Sequence, residues 1–216
     1  MNIIFEGIDG TGKTTLINRI IKKLNEKSYK TNYIKEIEDT PLQPVLKKML
    51  DNDPFFKNNK DFKTSVFETF ILAADFFYKQ EYFRGLSDCI NFYDRDFLTI
   101  LCYQKIILEN EYGKKINPFY DHFVKCLTFD LKKIDLLIYI KTDCEVNFKR
   151  IEMRDNVTLR KDQKDFLIKA KEHFESYLLP ELKENGIKVL YLDGLAKLEK
   201  NIKLIVGEIK SAKTRC

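Results

Sequence analysis

Apolar and polar residues along the chain sort into two alternating kinds of segment. Asn2 to Glu6 is a short apolar run that stops at a glycine-rich turn, after which Leu16, Ile17, Ile20, Ile21 and Leu24 recur at the spacing of one helix face. The alternation repeats. Thr31 to Lys35 reads as a second strand, and an amphipathic helix from about Pro41 carries Leu42, Val45, Leu46 and Met49. Asp51 to Lys60, with Pro54, Asn52, Asn58 and Asn59, interrupts the pattern as a loop. Phe62, Val66, Phe67, Phe70, Ile71, Ala74 and Phe77 then predict a long helix with an aromatic, core-facing stripe. A third strand, Ile90 to Tyr93, ends in Asp94-Arg95 and leads to a helix carrying Leu98, Leu101 and Ile106.

Residues 111 to 133 read as a polar, aromatic connection with one short helix, and Ile134 to Ile140 is the most strand-like run in the chain. Asp143 is placed to cap the helix that follows. The charged stretch from Arg150 to Lys164 shows no apolar stripe and is predicted to be a mobile lid, ahead of a helix with Phe166, Leu167, Ala170, Phe174 and Leu178. A fifth strand, Lys188 to Leu192, an Asp193-Gly194 turn and a helix with Leu198, Ile202, Ile205 and Ile209 complete the chain. Short apolar strands alternating with helices predict an α/β three-layer sandwich: a five-stranded parallel sheet, helices on both faces, right-handed crossovers, and ligands over the carboxyl ends of the strands. The 216 residues read as one domain with a lid at about 150–164.

Composition narrows the class. Hydrophobic residues are 44% and charged residues 33%, which excludes a disordered chain, and no apolar run approaches a membrane span. The opening residues MNIIFEGIDG lack the regions of a secretory leader, so a cytoplasmic location is expected. The five cysteines, Cys89, Cys102, Cys126, Cys144 and Cys216, are widely spaced without a CxxC pair and are predicted to be reduced thiols, several of them in the core. His122 and His173 stand alone and suggest neither metal ligands nor a triad. The net charge of +5 is spread through helix faces, as in Lys22-Lys23, Lys47-Lys48 and Lys132-Lys133, rather than gathered in a stripe, which argues against nucleic-acid binding and suits phosphate ligands.

The run Gly7-Ile8-Asp9-Gly10-Thr11-Gly12-Lys13-Thr14 fits GxxxxGK[ST] in full, and it lies between a predicted strand and a predicted helix, the context that motif requires. Glycines let the backbone curl so that N–H groups point at phosphate oxygens, and the helix beginning near Lys13 adds the positive end of its dipole. Lys13 is expected to reach the β and γ phosphates and the Thr14 hydroxyl to hold magnesium, with Thr15 closing the ATP-binding stretch. This places the fold among the P-loop NTPases. Asp94 is a candidate for assisting magnesium or its water, and Arg95 for holding an anionic group on an acceptor. Arg150, Arg154 and Arg160 sit in the predicted lid, where closure would set cations on the transferring phosphoryl group.

With these residues in view the chain resembles the thymidylate kinases over nearly its whole length. FEGIDGTGKTT is very close to that family's P-loop, including Asp9. Thr40-Pro41-Leu42 resembles the segment after the second strand, with Lys47 where the family has a phosphate-binding arginine. YDRDFLTILCYQ resembles the family's DRY segment, matching Asp94, Arg95, Tyr103 and Gln104, and IDLLIYIKTD followed by Arg150 resembles its fourth strand and lid approach. The resemblance implies transfer of the γ-phosphoryl of ATP, with magnesium, to a nucleoside monophosphate, deoxythymidylate being the expected acceptor. Asp9 would contact its sugar, Arg95 its phosphate and Gln104 its base, with Glu36, Lys47, Leu72, Phe76, Thr99 and Tyr103 on the acceptor side. Gly10 stands where some members carry a P-loop arginine, so Arg154 or Arg160 would supply that charge. The family also implies a possible homodimer, with the aromatic helix as a possible interface.

The departures fall on the acceptor side. Leu72 replaces the phenylalanine that stacks on thymine in the family, Phe76 replaces an arginine that holds the monophosphate, Ile37 replaces a proline, and Asp96 replaces the tyrosine of DRY. Losing one cationic donor to a phosphate forfeits roughly 1.5 to 3 kcal/mol. The alternative readings are therefore a deoxynucleoside kinase, which needs a base near a 5′-hydroxyl with Glu6 and Glu36 as candidates, or another small-molecule kinase of the same fold, and thirdly an ATP-binding module without transfer activity.

Overall fold

The computed structural model describes residues 1–37, 40–52, 65–83, 88–128 and 134–213. Strands β1 (Asn2–Glu6), β2 (Thr31–Lys35), β3 (Ile90–Asp94), β4 (Leu136–Lys141) and β5 (Val189–Asp193) form one parallel sheet in the order β2-β3-β1-β4-β5. Alternation along β1 sets the two layers. Ile3 and Phe5 face α1 (Lys13–Asn25) and α9 (Leu198–Lys213), packing with Leu16, Ile17, Ile202 and Ile205. Ile4 faces the opposite layer, where Leu98, Leu101, Phe148 and Leu167 gather. Register then aligns the strand ends: Asp94 lies opposite both Phe5 and Lys35, so the chain leaves β1, β2 and β3 side by side into Gly7, Glu36 and Arg95.

The second layer is built from α3 (Ser65–Phe83), α4 (Phe97–Tyr112), α5 (Asn117–Thr128), α6 (Cys144–Asp155), α7 (Lys161–His173) and α8 (Leu179–Glu184), while α2 (Gln43–Asn52) follows β2. A 3-10 turn, Gly113–Ile116, links α4 to α5, and a π-helical turn, Phe174–Leu178, runs between α7 and α8. As predicted, Asp143 caps α6, its carboxylate accepting the Glu145 N–H at 2.8 Å.

Four expectations are corrected. Residues 111–128 are mainly helical, because Tyr120, Phe123 and Leu127 give α5 a narrow buried face that flanking lysines obscure; residues 129–133, with Lys132-Lys133, lie outside the described residues. The predicted lid is a helix–loop–helix in which Arg150 and Arg154 belong to α6 and residues 156–160 separate it from α7. Asp51 and Asn52 close α2, while the rest of the predicted loop and Phe62 lie outside the described residues.

The fourth concerns α3, which turns the other way round from its aromatic pattern. Phe67, Phe70 and Phe77 are exposed, and the buried face carries Glu68, Thr69, Ala73, Asp75, Phe76 and Lys79. Polar partners make this possible: Thr69 donates to Gln104 Oε1 at 2.6 Å, and Lys79 pairs with Asp75 at 2.9 Å. Likewise Cys102 alone is buried among the described cysteines, Cys89 and Cys144 being half-buried and Cys126 exposed; Cys216 lies outside the described residues.

Replacing Asp143 by Ala should cost about 1 kcal/mol of stability, since the cap is lost while α6 keeps its packing. Urea denaturation measures it, and an unchanged midpoint would show that the cap contributes nothing.

Candidate active site

The loop between β1 and α1 adopts backbone that only glycine enters freely: φ is +140° at Gly7 and +80° at Gly10. Space enforces the same choice. A side chain at Gly7 would meet Ile140 O at 2.8 Å, and one at Gly10 would meet Asn147 O at 2.6 Å. Gly12 caps α1 without a side-chain bond and the first turn holds no acidic residue, so the helix N-terminus faces the cleft as an anion site. The Lys13 ammonium is folded back on the loop, donating to Gly7 O at 2.7 Å and Ile8 O at 3.0 Å. Burial and the nearby Arg95 lower its pKa to about 8, against the pull of Asp9, Asp94 and Glu6. The Thr11 hydroxyl donates to Ile8 O and braces the turn.

Beside the loop, Asp94 ends β3 with one carboxylate oxygen, Oδ2, accepting two hydroxyls, from Thr14 at 2.6 Å and from Tyr33 at 2.7 Å. A hydroxyl and a carboxylate next to a phosphate cradle are hard oxygen donors of the kind magnesium takes, one carboxylate sufficing because the ion keeps waters and phosphate oxygens. The residues present fit that ion.

Arg95 follows with φ of +69°, a left-handed conformation that costs a non-glycine residue roughly 1–2 kcal/mol. Its backbone N–H still donates to Phe5 O at 3.0 Å, and the turn aims the side chain back over the loop. The guanidinium meets Asp9 at 2.7 Å and the Glu36 carboxylate at 3.1 Å, and lies over the Tyr103 ring, whose hydroxyl donates to Asp9 at 2.9 Å. Burial works against ionisation of Asp9, yet Arg95 and Lys13 outweigh it and hold the carboxyl well below the usual carboxylate range. The ends of β2 and β3 are thus tied to the P-loop through one residue of that loop.

These elements border a cleft of about 1170 Å³ lined by Asp9 through Thr15, Glu36, Lys47, Asp94, Arg95 and Arg154. Arg150, also on its wall, joins two loops, donating to Gly10 O and to Gly194 O at 3.2 Å each. The remaining candidates, Arg154 apart, are not on that wall. Arg160 is bound to Asp162 on the surface, and Arg154, though lining the cleft, is paired with Asp155. Thr99 is buried and donates to Glu6, Gln104 is buried against Thr69, Phe76 packs on Phe97, and Leu72 packs against the core. Gly7 and Ile8 face Lys13 with their carbonyls, beneath the cleft.

Glu6 is fully buried, and its carboxylate accepts from the Asp96 and Thr99 N–H groups and the Thr99 hydroxyl, closing the start of α4 from the neighbouring strand. That occupation removes it as a base for an acceptor. Sequence reasoning missed Tyr33 and Lys79; Tyr33 could have been found as a polar tip in the middle of β2, whereas Lys79 reads as one more surface lysine.

Burial raises the Glu6 carboxyl to about 7 despite its hydrogen bonds and the charges of Arg95 and Lys13. The folded chain then binds more protons than the unfolded chain between the two pKa values, and the stability contributed by Glu6 is lost as pH rises through the folded value. Glu6→Gln stays neutral, so its melting temperature relative to the unsubstituted protein should rise between about pH 5 and about pH 8. A pH-independent difference would contradict the raised pKa.

Comparison with known proteins agrees with this arrangement. The thymidylate kinase family profile matches residues 5–202. A probable thymidylate kinase of Sulfurisphaera tokodaii is 24% identical over 213 residues, covering 96% of this chain and 97% of that protein. A thymidylate kinase of Caldicellulosiruptor saccharolyticus is 30% identical over 161 residues, covering 70% and 69%. Among solved structures, a deoxyadenosine kinase from M. mycoides with bound dATP superposes with a TM-score of 0.71 at 19% identity, covering 97% of this chain and all 100% of that one, a likeness of fold. The P-loop with its central aspartate, the Asp94-Arg95 corner and the five-stranded parallel sheet are in place over the matched length, and the chain belongs to the thymidylate kinase family.

Proposed function

We propose that the protein transfers the γ-phosphoryl group of ATP to a nucleoside monophosphate, deoxythymidylate in the first instance, giving the diphosphate. The observation that carries this reading is the 2.7 Å pair between Arg95 and Asp9, which sets a cation against an aspartate of the P-loop in one cleft. Lys13 would leave the Gly7 and Ile8 carbonyls for the β and γ phosphates, and the N-terminus of α1 would hold the β phosphate. Thr14 and Asp94 would hold magnesium, which when bound supplies charge neutralisation on the phosphates. Asp9 would accept from a sugar hydroxyl, and Arg95 would orient the acceptor phosphate with Lys47 beyond it. Arg154 would exchange Asp155 for the transferring group, and its exposed pairing makes that exchange cheap.

A second reading, an unphosphorylated deoxynucleoside as acceptor, is favoured by a specific feature. Arg95 already binds two carboxylates, and Phe76 packs in the core on Phe97, so part of the positive charge that an acceptor phosphate would meet is already balanced. Glu36, half-exposed beside Arg95, would then serve as the base for a 5′-hydroxyl. An ATP-binding module without transfer activity is the third reading. We propose further that the exposed Phe67, Phe70 and Phe77 of α3 meet a second copy of the chain. Light scattering should give twice the chain mass for the protein and the chain mass for Phe70→Lys.

ADP release from magnesium–ATP against a panel of deoxynucleosides and their monophosphates tests the acceptor, with Lys13→Ala as the blank. Turnover on deoxythymidylate is expected; turnover confined to unphosphorylated acceptors would establish the second reading, and silence throughout the third. The Lys13→Ala protein should lose about tenfold or more in magnesium–ATP affinity, measured by calorimetry, and an unchanged affinity would contradict the role given to Lys13.

A further inference from the structure

β2 is an edge strand, so where its ladder stops at Lys35 the next carbonyls have no strand to receive them. They turn instead toward α3. Lys79 is buried there, its side chain only 8% exposed, and its ammonium donates to Lys35 O at 2.8 Å and to Glu36 O. The third direction of the ammonium is taken by Asp75, one turn earlier on the same helix, at 2.9 Å. Asp75 in turn accepts the Thr40 hydroxyl on its other oxygen. One buried ion pair therefore grips the chain on both sides of the turn after β2, at residues 35 and 36 and again at residue 40. Between those grips the Glu36 carboxylate reaches Arg95 and so the Asp9 pair.

We propose that Asp75 and Lys79 are a positioning pair for the acceptor side, fixing the backbone at Glu36 so that its carboxylate shares Arg95 with Asp9. Burying a lysine and an aspartate costs several kcal/mol in desolvation, and a hydrophobic pair of similar size would be as stable or more so; stability alone does not call for charges here. What an apolar pair cannot do is hold two carbonyl groups and a hydroxyl in fixed directions. The pair acts through Glu36 and touches no reacting atom. It deepens the kinase reading above and rests on it for its consequence in turnover, while the clamp itself is open to a measurement that needs no acceptor.

The test is the double variant Asp75→Leu, Lys79→Met, which leaves no unpaired buried charge and so preserves the fold, with Thr40→Val as a milder variant that opens only one grip. Amide hydrogen exchange, followed in wild type and both variants, should accelerate about tenfold or more across residues 31–43 in the double variant, less in Thr40→Val, with the P-loop and α1 unchanged. In turnover the acceptor KM should rise about tenfold while magnesium–ATP affinity, read by calorimetry, stays within about twofold. Exchange unchanged across 31–43, or accelerated evenly over the whole chain, would overturn the proposal, as would a rise in acceptor KM matched by an equal loss of ATP affinity. If the wild-type protein turns over none of the acceptors, the kinase reading fails while the exchange result still decides the clamp.

Discussion

Much of this structure is organised around the ion pair between Arg95 and Asp9. Arg95 sits at the end of β3 in a left-handed conformation that a non-glycine residue adopts at a cost, and Asp9 sits in the middle of a loop whose glycines admit few alternatives. The 2.7 Å contact, with Tyr103 on the same aspartate and Glu36 on the same guanidinium, closes a ring that joins β1, β2, β3 and α4 above the sheet. In a partly buried setting such a charge-assisted contact is worth more than its exposed counterpart.

The charge distribution around that ring bears on chemistry. Asp9, Glu36 and Asp94 approach the cleft from three strands, against Lys13 and Arg95 at close quarters and Arg150 and Arg154 from α6. Lys13, Arg150 and Arg154 lie along the P-loop side of the cleft, whereas the Arg95 guanidinium is balanced by the Asp9 and Glu36 carboxylates. That balance makes the choice between a phosphorylated and an unphosphorylated acceptor the decisive question for the transfer proposed above.

The sheet and the P-loop were legible in the sequence because their signals are local: apolar runs that stop at turns, and a motif whose every position has a steric or electrostatic reason. The DR corner was legible for the same reason. What sequence could not show was the interior around α3 and α4. The aromatic spacing of α3 predicts a buried stripe, but the helix buries Thr69, Asp75 and Lys79 because each finds a partner distant in sequence, Gln104 for the first and the end of β2 for the last. Glu6 reads as a site residue and is in fact the cap of α4, while Thr99, a candidate for the acceptor, is spent on it. Arg160 sits in the charged stretch that suggested a lid and lies on the surface with Asp162. The misses on α3 and at Glu6 come from polar side chains whose partners are remote along the chain, which periodicity does not report.

The central claim is that Arg95 serves the acceptor while the P-loop serves the donor, with Asp9 joining them. Calorimetric titration of an Arg95→Gln protein with magnesium–ATP and, separately, with deoxythymidylate and deoxythymidine addresses it directly. The account predicts that acceptor affinity falls by about tenfold or more while magnesium–ATP affinity stays within about twofold of the unsubstituted protein. Equal loss for both ligands, or acceptor binding that survives intact, would contradict it.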